Sequence, residues 1–432
     1  MRKRDVPINM SGNMGGDGGT PMEFLTDRLP GLIETFLAHF DDLFKNDVER
    51  RRARQYVVGL LMSGSNKTMT AMADRIVGVN NQSLHHFLTQ APWDPDELNR
   101  HRVALLQRSR QTKFKATGWF IQDDTGQRRK PTKGPRGSDG VSRQYIGNVG
   151  KVDDGIVFVS THYVDERKHF PVTSELFWTK AALKVFEERQ EQLRSEGKEA
   201  RSVTEKMRRD KIDIALGQIR EAKRMCPWMR RALSDAWYGS SPRYVKGLEA
   251  EGIEYVVAVR SNRTVFVRLP DDPRSGEKPE HSVKEVLALL KNEDFERITV
   301  KRADGAEDVR YVVGMEIKVK GLGKGKRRLV IVASDLDRLD PDHVEFLLTD
   351  TRLSNADVAR AYALRNWVEV FYGDGKGELG LAKAQVRYED GYARHWALVF
   401  LAHTLVMYHR MKGSFAGLVE KRGSPVSGRE CA

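Results

Sequence analysis

The order of elements between Lys115 and Val259 constrains this chain more than any other feature. A short apolar run, Ala116–Gln122, ends in Asp123-Asp124, and a loop rich in Gly, Pro, Lys and Arg follows from Thr125 to Arg143. Ile156–Val164 and Phe170–Phe177 are β-rich runs spaced to pair with each other. Charged, helical sequence fills 179–225, with Gly197 as its break. Then come a short strand, Arg230–Ser234, ending at Asp235, a helix over Pro242–Glu251 and a strand over Ile253–Val259. Strand, hairpin, helix, strand, helix, strand predicts an α/β sheet covered by helices.

The flanks have different periods. Residues 1–20 are polar and glycine-rich and predict a disordered arm. Residues 21–112 repeat apolar positions at helical spacing, as in Met22–Phe44 and Asp47–Met62, and predict an all-α N-terminal domain. Within it, Thr68–Leu88 has the pattern of a helix-turn-helix, with its turn at Gly78-Val79-Asn80 and Leu84, Phe87 and Leu88 facing inward. In such a unit Asn81, Gln82, Ser83 and His85 would face base edges, although many helical cores share this spacing. Residues 262–350 hold several short β runs and one helix, Ser282–Leu290, and predict a β-rich subdomain inserted into the α/β core. The core therefore divides into 113–261 and 351–412, leaving 413–432 as a flexible tail.

Composition narrows the partners. At about 150 residues per domain, 432 residues allow two or three domains. Lys+Arg 73 against Asp+Glu 60 leaves +13, which favours a polyanion, nucleic acid before anionic membrane. The longest unbroken apolar stretch is Trp396–Ala402, too short to span a bilayer, and no basic-then-apolar leader opens the chain. Two cysteines, Cys226 and Cys431, exclude a disulfide framework and a cysteine zinc cluster. These features predict a soluble protein of a reducing compartment.

Three acidic positions carry chemistry. Asp123, beside Asp124, and Asp235 close strands, and Glu369 lies on a helix after the β-rich stretch. Reactive groups of open α/β sheets gather at the carboxyl ends of strands. Carboxylates collected there hold hard divalent cations that activate water for phosphodiester cleavage. A single acid at a strand end is more often an ordinary turn residue; the triple is the more specific signal. At about 100° per residue, Tyr362, Arg365, Glu369 and Lys376 fall on one stripe, with Leu364, Val368 and Phe371 opposite. A local ion pair between Arg365 and Glu369 is the plainer account of part of that stripe.

The spacing of Tyr362, Arg365, Glu369 and Lys376 resembles the Tyr-Arg-Glu-Lys box of bacterial insertion-sequence transposases of the DDE superfamily. QDDTG (122–126), SRQYIGNVGKV (142–152), SDAWYG (234–239), GELGLAKAQVR (377–387) and LVFLAH (398–403) are similar to the same branch and stand in the same order. The resemblance covers about 115–410 and implies a ribonuclease H-like catalytic domain with a β insertion before the glutamate. It implies a triad of Asp123, Asp235 and Glu369 holding Mg²⁺ or Mn²⁺, as two ions. Tyr362, Arg365 and Lys376 would position phosphates. The implied enzyme binds the terminal inverted repeats of its element in double-stranded DNA, cleaves at their ends and joins the 3′ ends to target DNA. It would work as a homodimer assembled on DNA, in the bacterial cytoplasm at the nucleoid. The alternative is a transposase-derived DNA-binding regulator without cleavage.

Two positions depart from the pattern. Gly373-Asp374-Gly375 stands where the family has helix formers, which predicts a loosened turn under Lys376. The first ligand is Asp123 or Asp124; Asp-x-Thr favours Asp123, which shares a strand face with Trp119 and Ile121. Arg128, Arg129, Lys130, Lys133 and Arg136 make a basic loop beside Asp123, predicted to contact the DNA backbone unless it is a solvated surface. The basic tip GLGKGKRR (321–328) has the same two readings. The glycines of 373–380 follow no strand and are no phosphate loop, and His403, on an apolar helix, predicts a core histidine.

Overall fold

The computed structural model describes residues 30–414, apart from 63, 65, 133–136, 275, 277–278 and 302–305. The expected arm over 1–20, the start of the first helix, Lys133, Arg136, Cys431 and nearly all of the tail lie outside the described residues. Residues 30–37 are helical and tighten into a 3-10 turn, Ala38–Leu43. Helices follow at Asp47–Leu61, Met69–Ala73, Asn81–Thr89 and Pro95–Gln107. Their starts are written in the sequence: Asn46, Thr68, Asn80 and Asp94 each accept a hydrogen bond from a first-turn backbone N–H. Leu84, Phe87 and Leu88 are buried, as their spacing predicts.

Strands β1 (Trp119–Arg128), β2 (Ser142–Ile146), β3 (Lys151–Val164) and β4 (His169–Phe177) come next. Beyond them lie β5 (Arg231–Ser234), β6 (Glu254–Ala258), β7 (Thr264–Phe266) and β8 (Glu280–Ser282). The set closes with β9 (Glu296–Lys301), β10 (Glu307–Val319), β11 (Arg327–Ala333) and β12 (Val344–Thr349). Among the described residues these twelve join one sheet, in the order β2-β3-β1-β5-β6-β12-β11-β10-β7-β8, with β4 on β3 and β9 on β10. At its centre β1, β5 and β6 are parallel, and β3 runs antiparallel to β1.

Two expectations need correction. β1 does not stop at Asp123-Asp124; it continues to Arg128 because β3 pairs with it from Trp119↔Val164 to Arg128↔Gly155. Part of the expected loop is a strand, β2, held on β3. The β-rich stretch 262–350, expected as an insertion, is continuous with the core sheet. β12 pairs antiparallel with β6, Leu347 opposite Ala258, so its strands prolong the central sheet. Three of the four cations of the basic tip have partners within the protein. Arg327 is buried and donates to both carboxylate oxygens of Glu249 at 2.8 Å, Arg328 donates to Leu353 O, and Lys326 pairs with Glu316.

The core runs without a break from the N-terminal helices into the sheet. The helix Glu389–Met411 joins the two, with Trp396 through Ala402 buried on all sides. Tyr56 OH meets His395 Nδ1 at 2.8 Å, and Arg102, fully buried, donates to Thr404 Oγ1 on that helix and to Val172 O on β4. The N-terminal helices thus share the core of the sheet. No helix of the described residues is long and apolar enough to cross a membrane.

Candidate functional site

Strand register brings the first two acids together. β1 and β5 pair in parallel through Gln122↔Ser234, so Asp123 and Asp235 are the next residues on neighbouring strands. Beyond Ser234 the chain turns into a single-turn helix, Ala236–Gly239, and Asp235 caps it, its Oδ1 accepting from Trp237 N at 3.0 Å and Tyr238 N at 3.2 Å. Gly239 lets that turn press on β6: a Cβ there would lie 2.0 Å from Ala258 O.

Glu369 arrives on the helix Asn366–Gly377, and here the sequence reading is corrected twice. Tyr362 is not on that helix; it is buried on the preceding one, Asn355–Ala363. The two are joined by a tightened turn, in which Arg365 N donates to Tyr362 O and Val368 N to Arg365 O. The expected break at Gly373-Asp374-Gly375 is absent: the helix continues to Gly377, with Gly375 buried. The four residues therefore do not form one stripe on one helix, although Arg365, Glu369 and Lys376 all remain beside Asp123 or its strand.

The arrangement of charges is specific. Arg365 Nη1 donates to Asp123 Oδ2 at 2.8 Å and Nη2 to Glu369 Oε1 at 3.4 Å, so one guanidinium links a strand acid to a helix acid. Asp123 Oδ1 accepts from Asp124 N at 2.7 Å. Asp124 is turned aside: its Oδ2 pairs with Lys211 at 2.9 Å and accepts from Tyr238 OH at 3.4 Å. Lys376 Nζ donates to Thr125 Oγ1 at 2.6 Å and Gly126 O at 3.2 Å on β1. Tyr372 OH and Ser160 Oγ are 2.6 Å apart, and Ser160 meets His162 Nε2 behind the helix.

Burial, reinforced by Asp235, Asp124 and Glu369, holds the Asp123 carboxyl well above the usual carboxylate range, against the opposing pull of Arg365. Burial likewise raises Asp235, opposed by the Tyr238 N–H and Arg365. Burial lowers Lys376. These groups face a cleft of about 850 Å³. It also takes in Lys211, Trp237 and Arg260, which the sequence reading did not single out. Arg260 had a signal: it lies two residues past β6, beyond the carboxyl end of a parallel strand, as Asp235 lies just past β5.

The other expected residues lie elsewhere. Asn81 and Gln82 are exposed on the first turn of Asn81–Thr89, outside the cleft lining. Arg128 is exposed and paired with Asp153 at 2.7 Å, and Lys130 is exposed. Arg129 is not a free loop cation. It donates to Ala384 O and Val386 O and lies 5.2 Å over the Tyr392 ring, because β1 carries it inward. His403 is a core histidine as expected, packed near His169 and Phe371.

Asp123, Asp235 and Glu369 offer hard oxygen donors of the kind that suits Mg²⁺ or Mn²⁺. Among the described residues no three His, Cys, Asp or Glu side chains stand close enough to hold a metal ion as placed. Between two of these acids lies the Arg365 guanidinium.

Residues 39–303 match the family model described as DDE superfamily endonuclease, and residues 203–405 match the transposase DDE domain. A probable transposase for insertion sequence element IS701 from Microchaete diplosiphon is 29% identical over 354 residues, which is 81% of this chain and 80% of that protein.

Proposed function

The chain belongs to the DDE superfamily of endonucleases and is a DDE-type transposase; from that premise we propose that it binds the ends of its element in double-stranded DNA, cleaves there and transfers the 3′ ends to target DNA. One observation carries the assignment: β1 and β5 pair in register through Gln122↔Ser234, so that Asp123 and Asp235 are neighbours, with Glu369 tied to Asp123 through Arg365. The sheet order β4-β3-β1-β5-β6, with its parallel centre, supports a ribonuclease H-like core for residues 113–261 and 351–412. Residues 21–112 would bind DNA, with Asn81 and Gln82 toward base edges, and 262–350 would be the insertion.

The donor set fits divalent ions. Three carboxylates in one cleft, two of them raised by burial, gain from a cation that neutralises them together. Asp123, Asp235 and Glu369 would hold Mg²⁺ or Mn²⁺, as a pair of ions. Bound there, such ions supply an activated water and charge neutralisation at the leaving oxygen.

The chain's own groups do the rest. The Asp235 cap fixes one carboxylate oxygen on two N–H groups and leaves Oδ2 for the cleft. Lys211 holds Asp124 away from Asp123, which favours Asp123 as the ligand. Lys376 ties the Glu369 helix to β1 and keeps a cation at the cleft wall, where a phosphate would meet it. Lys130 and Arg128 would follow the backbone outside, as the chain assembles as a homodimer on DNA.

The test is cleavage of DNA carrying the element's flanking sequence, in Mg²⁺ and in EDTA. Cutting in Mg²⁺ alone is expected; binding without cutting in either would leave a DNA-binding regulator.

A further inference from the structure

Arg365 stands where a metal ion is needed. Its guanidinium occupies Asp123 Oδ2 and reaches Glu369 Oε1, so two of the three carboxylates are spanned by one internal cation. The placement is built in. Arg365 forms the joint between two helices, its backbone held at φ −56° and ψ −30° and its N–H on Tyr362 O, while its side chain caps no helix. Tyr362 backs it, 6.0 Å from ring centre to guanidinium. The other oxygen of Asp123 already accepts the Asp124 N–H, so Oδ2 is the atom a metal would have to share with Arg365.

We propose that Arg365 is the resident counter-ion of the metal-free site, which must leave Asp123 before the three carboxylates converge on a divalent cation. The argument rests on the metal-binding role given to Asp123, Asp235 and Glu369 above. In the resting protein the guanidinium satisfies Asp123, which burial and three neighbouring acids would otherwise leave uncompensated. Metal entry and Arg365 release are then one exchange, and metal affinity is weakened by whatever the ion pair contributes. The released guanidinium lies beside Asp123 and Glu369, which line the cleft, where two oxygens of a DNA phosphate would accept its paired N–H groups. DNA that captures Arg365 therefore raises metal affinity, and by linkage metal raises DNA affinity. The device keeps the nuclease site closed until both are present.

The test is Mn²⁺ binding to the full chain without DNA, by calorimetry and by the resonance of free Mn²⁺. Arg365→Gln removes the cation, and its Mn²⁺ affinity should rise about tenfold above that of the unaltered chain. Its melting temperature should fall without metal and recover on adding Mn²⁺ by more than the unaltered chain gains. Should Arg365→Gln fail to fold, Arg365→Lys gives the same answer. An ammonium reaches one carboxylate where the guanidinium spans two, so Mn²⁺ should bind about threefold tighter. Equal or weaker Mn²⁺ binding in the folded variant overturns the exchange. Asp235→Asn and Glu369→Gln separate this from the underlying assignment. If they bind Mn²⁺ as well as the unaltered chain, or if no form binds it, the carboxylates are not a metal site.

Discussion

Asp123 and Arg365 lie 242 positions apart and meet at 2.8 Å, on an oxygen and a nitrogen that have little other company. The pair joins the central strand to the helix that carries Glu369, and it is made at the point where the helix before it has ended. It is a tertiary bond between a strand and a helix joint, stronger in geometry than the 3.4 Å contact of Arg365 with Glu369 four residues on.

Asp123→Asn, Asp235→Asn and Glu369→Gln should each abolish cleavage while leaving DNA binding close to unchanged. Each removes a ligand charge and keeps side-chain volume. Asp124→Asn should still cleave, since Asp124 is engaged by Lys211. Cleavage assays beside gel-shift titrations read both; normal cutting by Asp123→Asn with none by Asp124→Asn would move the first ligand by one residue.

Lys376→Met keeps the apolar stem and removes the donor to Thr125 Oγ1 and Gly126 O. A hydrogen bond from a charged group contributes about 1.5–3 kcal/mol. Denaturant midpoints should fall accordingly, and cleavage of the folded fraction should fall further. A stability loss with full cleavage would make Lys376 a tether alone.

Arg102→Ala should be among the most destabilising changes in the chain, by about 3 kcal/mol or more, because it leaves a cavity and strands Val172 O and Thr404 Oγ1. Urea unfolding of the two proteins measures it. A change under about 0.5 kcal/mol, typical of a surface site, would refute the shared core.

His169 gives a pH test. Burial, with Arg410, pushes it down from 6.5 to about 4, and it stacks on Trp367. The folded state takes its proton less readily than the unfolded one. Its contribution is therefore complete above pH 6.5 and is lost as pH falls towards 4. His169→Phe cannot titrate, so the unaltered chain should lose about 2 kcal/mol relative to it between pH 7.5 and pH 5. A stability difference that stays constant over that range would show that His169 is not held neutral.

Asn81→Ala and Gln82→Ala should weaken binding to the element's end more than to unrelated DNA, since base contacts carry specificity and phosphate contacts do not. Equal losses on both DNAs would assign the Asn81–Thr89 helix to packing.

The sequence by itself determined the elements and the acids. Period-two runs, caps such as Asn46 and Asn80, and the apolar Trp396–Ala402 stretch act within a few residues, and those elements stand where local chemistry puts them. Asp235 could be named from the end of its strand and Asp123 from the end of its apolar run, although only β5 stops at its acid. Only the tertiary structure decided what those elements touch. β1 runs past its acids because β3, a distant segment, supplies hydrogen-bond partners. The glycines at 373 and 375 stay helical in a turn that the following loop holds, Leu381 N donating to Gly375 O at 2.7 Å. Arg129 leaves the basic loop for two backbone carbonyls more than 250 residues away. Arg365, placed by spacing beside Glu369, also reaches Asp123, and at the shorter distance. Local periodicity fixes directions along one helix or strand, whereas a charge in a cleft pairs with whichever partner the folded sheet brings within reach.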